Sequence, residues 1–132
     1  MLTNNIHAAM MITGFFILLS GFFTARYMKM KRWWLKAHRS LGVSGASLTI
    51  IGFFVIVFHL LFSGRPIFTM LHGYAGLAIA LLAVIMPILG FMQLKIGKSA
   101  GKIRPIHRFF GWIMLVTMFI NIILGMRVTG IF

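Results

Sequence analysis

The chain of 132 residues contains no aspartate, no glutamate and no cysteine. Without carboxylates there are no paired acids for general acid–base work, no acidic proton relay and no carboxylate-bound metal. Without thiols there is no disulfide, no thiolate metal site, no iron–sulfur ligation and no CxxCH attachment of a c-type haem. Charge is scarce as well. Only 10% of the residues are charged, against about a quarter in soluble domains. The remainder is apolar: 61% is hydrophobic, and the mean hydropathy is +1.02. An ordinary water-soluble domain is excluded. The 13 Lys and Arg leave a net charge of +13. In a soluble chain that balance would suggest nucleic acid. In so apolar a chain it points instead to anionic headgroups, anionic cofactors or anionic soluble donors, and nucleic acid is not an expected partner. Five histidines are the only strong metal ligands left.

At about 20 apolar residues per membrane crossing, the length accommodates four helices joined by short connections. The apolar pattern places them at about 6–27, 38–62, 67–93 and 105–128. Between them lie a basic segment (28–40), a Ser63-Gly64-Arg65-Pro66 turn and a Gly/Lys segment (94–105). The expected fold is an all-α, up-down-up-down transmembrane bundle forming one domain over 1–132. The first stretch has no Lys or Arg before it, and polar or bulky residues stand where a signal peptidase needs small ones. It reads as a retained helix. Pro66 and Pro105 fall near helix starts, where a missing amide proton matters little. Pro87 falls inside the third stretch and should kink it.

The charges orient the bundle. Arg26, Lys29, Lys31, Arg32, Lys36 and Arg39 surround the first connection, and Lys95, Lys98, Lys102, Arg104 and Arg108 surround the third. The opposite side has only Arg65 and Arg127. The positive-inside rule makes both basic segments cytoplasmic and puts both termini outside, in a chain integral to the membrane. The same lysine-rich loops are also a candidate docking surface for an anionic electron donor. Trp33 and Trp34 suit an interfacial aromatic anchor.

Four histidines occupy corresponding places: His7, His38, His72 and His107 each sit near the N-terminal end of one apolar stretch. Because successive helices alternate in direction, His7 and His72 share the outer side, and His38 and His107 share the inner side. Three are followed by glycine at the fourth position: His38 by Gly42, His72 by Gly76 and His107 by Gly111. A residue four positions on lies one turn away on the same face, so glycine there leaves a flat gap beside the imidazole. The first stretch has Met11 at that position. It carries Gly14 and Gly21 at seven and fourteen residues from His7, a spacing repeated by Gly45 and Gly52 after His38. Glycine stripes also serve plain helix packing, and a haem-free scaffold or small transporter would need nothing more. Against that reading stand four histidines in alternating register, since ionisable groups inside a bundle are costly and point to function.

Two imidazoles without thiolate or carboxylate seldom complete a zinc or copper site. Haem supplies four nitrogens and asks the protein for two axial ligands. A bis-histidine iron has no open position, which favours electron transfer. The expected centres are His7 with His72 and His38 with His107, two haems per chain. Arg39 and Arg108 directly follow inner histidines and are placed to neutralise haem propionates, besides serving the positive-inside rule. Met11 is an alternative to His7 as a ligand. His59, late in the second stretch, is either structural or lines a proton or acceptor site. The eleven methionines read as adaptable packing around large ligands.

At these residues the sequence resembles the four-helix core of the cytochrome b561 family. The carrying segments are Trp33-Trp34-Leu-Lys-Ala-His38-Arg39, His72 to Gly76 with Gln93, Arg104-Pro-Ile-His107-Arg108-Phe-Phe-Gly111-Trp112, and the Asn121-to-Gly125 run. The resemblance implies two b-type haems, one between the first and third helices and one between the second and fourth, passing electrons across the membrane. The two flanking helices of eukaryotic members and the outer module of DOMON-fused members are absent. That resembles a small prokaryotic form, which implies a prokaryotic cytoplasmic membrane, or a subunit working with partners. The candidate partners are the lipid bilayer, a quinone, an ascorbate-like reductant or redox protein as donor or acceptor, and a second copy in a homodimer. The competing reading within this chemistry is a haem-b subunit that exchanges electrons with quinone and a partner redox protein.

Overall fold

A computed structural model describes residues 2–67, 70–95 and 100–128. Four helices follow in order: α1 (Leu2–Tyr27), α2 (Trp34–Phe62), α3 (Leu71–Lys95) and α4 (Ala100–Val128). No strand occurs among the described residues. All four helices are long and apolar enough to cross a membrane. At 1.5 Å per residue the shortest, 25 residues, spans about 38 Å, more than the hydrocarbon core of about 30 Å. The fold is the expected all-α transmembrane bundle.

α1 packs most closely on α2, and α3 on α4. The α2/α3 and α1/α4 contacts complete the ring, so α1 faces α3, and α2 faces α4, across the diagonals. The α1/α2 seam is made of glycine. A Cβ on Gly45 would lie 2.7 Å from Leu18 Cγ, and one on Gly14 would lie 2.8 Å from Thr49 Oγ1. Thr49, fully buried, returns its hydroxyl to the Gly45 carbonyl at 2.8 Å, which satisfies that buried hydroxyl within its own helix. The middle of the bundle holds two small clusters, Met11, Ile79 and Met118, then Ala46, Ala83 and Met114. Large side chains such as Phe16, Phe54, Phe58 and Phe119 point outward, where lipid tails are as apolar as any core.

The helix ends differ from the hydropathy pattern for physical reasons. α2 begins at Trp34 and α4 at Ala100, because a first turn at the headgroup level tolerates Lys and Arg that lower local hydropathy. Pro105 therefore lies inside α4, in its second turn rather than at its first residue. α3 begins at Leu71; apolar Ile67 belongs to the connection that follows Pro66. α2 ends at the expected turn. Gly64 has φ +62, the Gly64 amide donates to the Leu61 carbonyl and the Arg65 amide to the Leu60 carbonyl. These are the two bonds of a Schellman cap, with glycine at the left-handed position. Lys98 lies outside the described residues.

Candidate functional site

The topology places one histidine within little more than two turns of each helix start: His7, His38, His72 and His107. They meet in the expected pairs. Across the α1/α3 diagonal the His7 and His72 rings have centroids 6.2 Å apart and planes at 87°. Across the α2/α4 diagonal the His38 and His107 rings are again 6.2 Å apart, at 90°. Two metal–nitrogen distances of about 2.0 Å plus the half-width of each ring come to about 6 Å, so each gap has the width of one metal atom held between two imidazoles. Among the described residues no three or more His, Cys, Asp or Glu side chains come together. Each pair thus suits a metal that brings its own in-plane donors.

The other ring nitrogen is held from behind. His7 Nδ1–H donates to the Gly52 carbonyl at 2.8 Å, His38 Nδ1–H to Gly21 at 2.9 Å and His72 Nδ1–H to Asn121 at 3.1 Å. A carbonyl can only accept, so each bond fixes the proton on Nδ1 and leaves the Nε2 lone pair for a metal. The acceptors follow a rule: each lies fourteen residues after the histidine of its own helix and serves the histidine of the neighbouring antiparallel helix. His7 and His38 thus exchange carbonyls through Gly21 and Gly52. Fourteen residues of helix make about 21 Å, which is the separation between the two histidine levels. By the same rule His107 should use Met86. The Met86 carbonyl is the backbone partner that faces its ring, though more loosely than in the other three, since buried His107 Nδ1 forms no close hydrogen bond.

The glycines four residues after His38, His72 and His107 do not all behave as the spacing suggested. A Cβ on Gly42 would meet nothing within 4 Å, one on Gly111 would meet Met86 Cε at 3.2 Å, and one on Gly76 would meet Asn121 Nδ2 at 3.7 Å. Gly42 therefore borders open space, whereas Gly76 and Gly111 lie against neighbouring side chains. A cavity of about 750 Å³ contains His38 and His107, with Gly42 and Gly111 among its walls. Arg26, Lys29, Arg39, Arg104 and Arg108 also line it, with no acidic residue in the chain to oppose them. Arg39 is further fixed with its guanidinium carbon 5.0 Å from the centre of the Phe91 ring, a cation–π contact. The His38–His107 cavity therefore suits a large, flat, mostly apolar group with anionic substituents.

The family model described as eukaryotic cytochrome b561 matches residues 6–132. The chain belongs to the cytochrome b561 family. It is accordingly an integral membrane protein of transmembrane haem b electron transfer, and a haem-free scaffold is no longer the better account. The paired imidazoles, the protonated Nδ1 atoms and the basic cavity all fit haem b. No curated protein and no solved structure matches the chain.

Three contacts of this cytochrome b561 site escaped the sequence reading, although the Asn121-to-Gly125 run had carried part of the resemblance. Gly125 backs His72, where a Cβ would lie 2.9 Å from the ring Cε1, and Gly90 backs His107 at 3.5 Å. Each lies eighteen residues, five whole turns, after the histidine of its own helix, a repeat that was available as a signal. The third is Asn121, 3% exposed, whose carbonyl holds His72 while its Oδ1 is buried without a partner. His59 lies in the last turn of α2, with no side-chain hydrogen bond among the described residues.

Proposed function

We propose that this cytochrome b561 carries single electrons across the bilayer between two haems b, one held by His7 and His72 near the outer face and one by His38 and His107 near the cytoplasmic face. The observation that carries the reading is the pair of identical 6.2 Å imidazole gaps at levels about 21 Å apart, inside a hydrocarbon layer of about 30 Å. Each bound haem would supply a six-coordinate iron that cycles between ferric and ferrous without an open coordination position.

The chain's own residues do the rest. Carbonyls of Gly21, Gly52 and Asn121 hold Nδ1 protons, so that His38, His7 and His72 present basic Nε2 atoms at fixed orientation. Gly42 leaves open space one turn from His38, while Gly76 and Gly111 let Asn121 and Met86 pack close beside His72 and His107. Arg39 and Arg108 neutralise propionates at the cytoplasmic end. Met11, Ile79, Met118, Ala46, Ala83 and Met114 exclude water between the two levels, and the whole of 1–132 acts as one electron-carrying domain. The basic segments 28–40 and 94–105 face the cytoplasm and receive an anionic reductant or redox protein.

The test is a dithionite-reduced minus air-oxidised spectrum of the purified protein, with haem counted per chain by pyridine haemochrome. Low-spin b-type bands with two haems per chain are expected. Colourless protein from haem-replete cells, or a high-spin spectrum, overturns the assignment.

A further inference from the structure

Beside the His38–His107 cavity, between α2 and α3, lies a second hollow, an open groove of about 740 Å³. Arg32, Lys36 and Arg39 line it, and the chain has no acidic residue to neutralise them. Lys36, Ser40 and Ser44 follow one another at four-residue steps, so they share one face of α2 on successive turns. Ser40 and Ser44 also line the groove. Both are exposed, and neither makes a side-chain hydrogen bond among the described residues. Leu35, Val43 and Phe91 supply its apolar walls. The Arg39 guanidinium carbon, 5.0 Å from the centre of the Phe91 ring, ties α2 to α3 across it. Arg39, Val43 and Phe91 line the His38–His107 cavity as well, so the groove and the cavity share a wall.

Depth in the membrane sorts these groups. α2 has 29 residues, about 44 Å of helix, which exceeds the hydrocarbon layer of about 30 Å. Its first turn therefore stands among the headgroups, with Arg32 and Lys36. Ser44, about 15 Å along the helix from Trp34, lies at hydrocarbon depth. A hydroxyl there is costly without a partner, and acyl chains offer none.

We propose that this groove binds one anionic glycerophospholipid, with its phosphate on Arg32, Lys36 and Arg39, its ester carbonyls accepting from the Ser40 and Ser44 hydroxyls, and an acyl chain along Val43 and Phe91. Basic pockets between membrane helices at headgroup level take anionic headgroups in this way. A free phosphate would satisfy the cations and leave the hydroxyls and the apolar walls unused. A zwitterionic lipid would bring a further cation to a rim that is already basic. Only the anionic lipid matches cations, hydroxyls and apolar wall in the order in which depth arranges them. The site is independent of the haem assignment.

The test is native mass spectrometry of the full-length protein released from nanodiscs of phosphatidylcholine and phosphatidylglycerol in equal amounts, with matched acyl chains. The unaltered chain should keep one phosphatidylglycerol after other lipids have been stripped. Arg32→Gln with Lys36→Gln should abolish that preference, so that the two lipids are retained alike. Lys31→Gln with Lys102→Gln removes as much charge from residues that do not line the groove, and should keep the lipid. Ser40→Ala with Ser44→Ala leaves every charge in place at exposed positions, and should lose the lipid at lower collision energy than the unaltered chain. Circular dichroism of each variant should show the same helicity. The proposal is overturned if phosphatidylglycerol is held no better than phosphatidylcholine, or if the Lys31 and Lys102 pair loses it as completely as the Arg32 and Lys36 pair, which would make the preference one of bulk charge. It is equally overturned if the serine pair retains the lipid unchanged, or if millimolar inorganic phosphate displaces it, which would make the groove a site for a soluble anion.

Discussion

Gly125 and Gly90 occupy equivalent positions behind two of the candidate ligands, yet they differ in how much room they leave. At Gly125 a methyl group would lie 2.9 Å from the His72 ring, and at Gly90 one would lie 3.5 Å from His107. The first is a collision with an atom already fixed by a carbonyl behind it; the second is ordinary contact. Gly125→Ala should therefore lower outer haem occupancy, taking the pyridine-haemochrome count from two toward one per chain, while Gly90→Ala retains both. Equal loss in the two variants would mean that ring backing is not what the glycines provide. At this scale the meeting of the histidine rings in two pairs was legible, because only five histidines exist and helix direction sorts four of them. The backing glycines were not, since which residue faces a ring depends on how the two helices are rotated about their axes. Gly21 and Gly52 stood between these cases: their spacing from His7 and His38 was visible, but their use as carbonyl acceptors for each other's histidine needed the α1/α2 approach.

α1 and α2 act as one element. Both of their histidines are clamped by the partner helix, and the seam that permits this has no side chain at Gly14 and Gly45. At Gly45 a Cβ would meet Leu18 Cγ at 2.7 Å and the Leu18 backbone nitrogen at 3.1 Å. A side-chain rotation relieves the first contact but not the second. Gly45→Leu should thus separate the helices and destabilise the bundle by about 1–3 kcal/mol, the usual range for overpacking. It should loosen His7 and His38 together, so both haem contents fall with the melting temperature. Gly42→Leu, one turn earlier on α2, gives the contrasting result. Its Cβ meets nothing within 4 Å, so helicity measured by circular dichroism stays intact while the inner haem is selectively lost. A parallel loss of helicity in Gly42→Leu would show that the space beside it is structural. The four elements themselves were legible from hydropathy alone. Their ends were not, because a hydropathy window penalises the lysines in the first turns of α2 and α4 and credits Ile67, which is not helical.

Over the whole molecule the charge is one-sided to a degree that makes orientation testable by lysine alone. All six lysines, Lys29, Lys31, Lys36, Lys95, Lys98 and Lys102, belong to the two basic segments, and the opposite side carries only Arg65 and Arg127. The positive-inside argument places those lysines in the cytoplasm, where moving even one across the bilayer is costly. A membrane-impermeant amine reagent added to intact cells should then modify no lysine of the two segments, whereas inverted vesicles should give labelled lysines in both. On the proposed function, the same asymmetry would govern electron entry. A small anionic reductant approaching the basic face is steered by unopposed positive charge, so its rate of haem reduction in inverted vesicles should fall as ionic strength rises from 0.01 M to 0.15 M, where screening shortens from about 30 Å to about 8 Å. A neutral reductant should show no such dependence, and Arg39→Gln with Arg108→Gln should weaken the salt effect for the anionic one. If the two reductants respond alike to salt, the basic segments serve orientation only, and the donor meets the protein somewhere other than the face where its charge is concentrated.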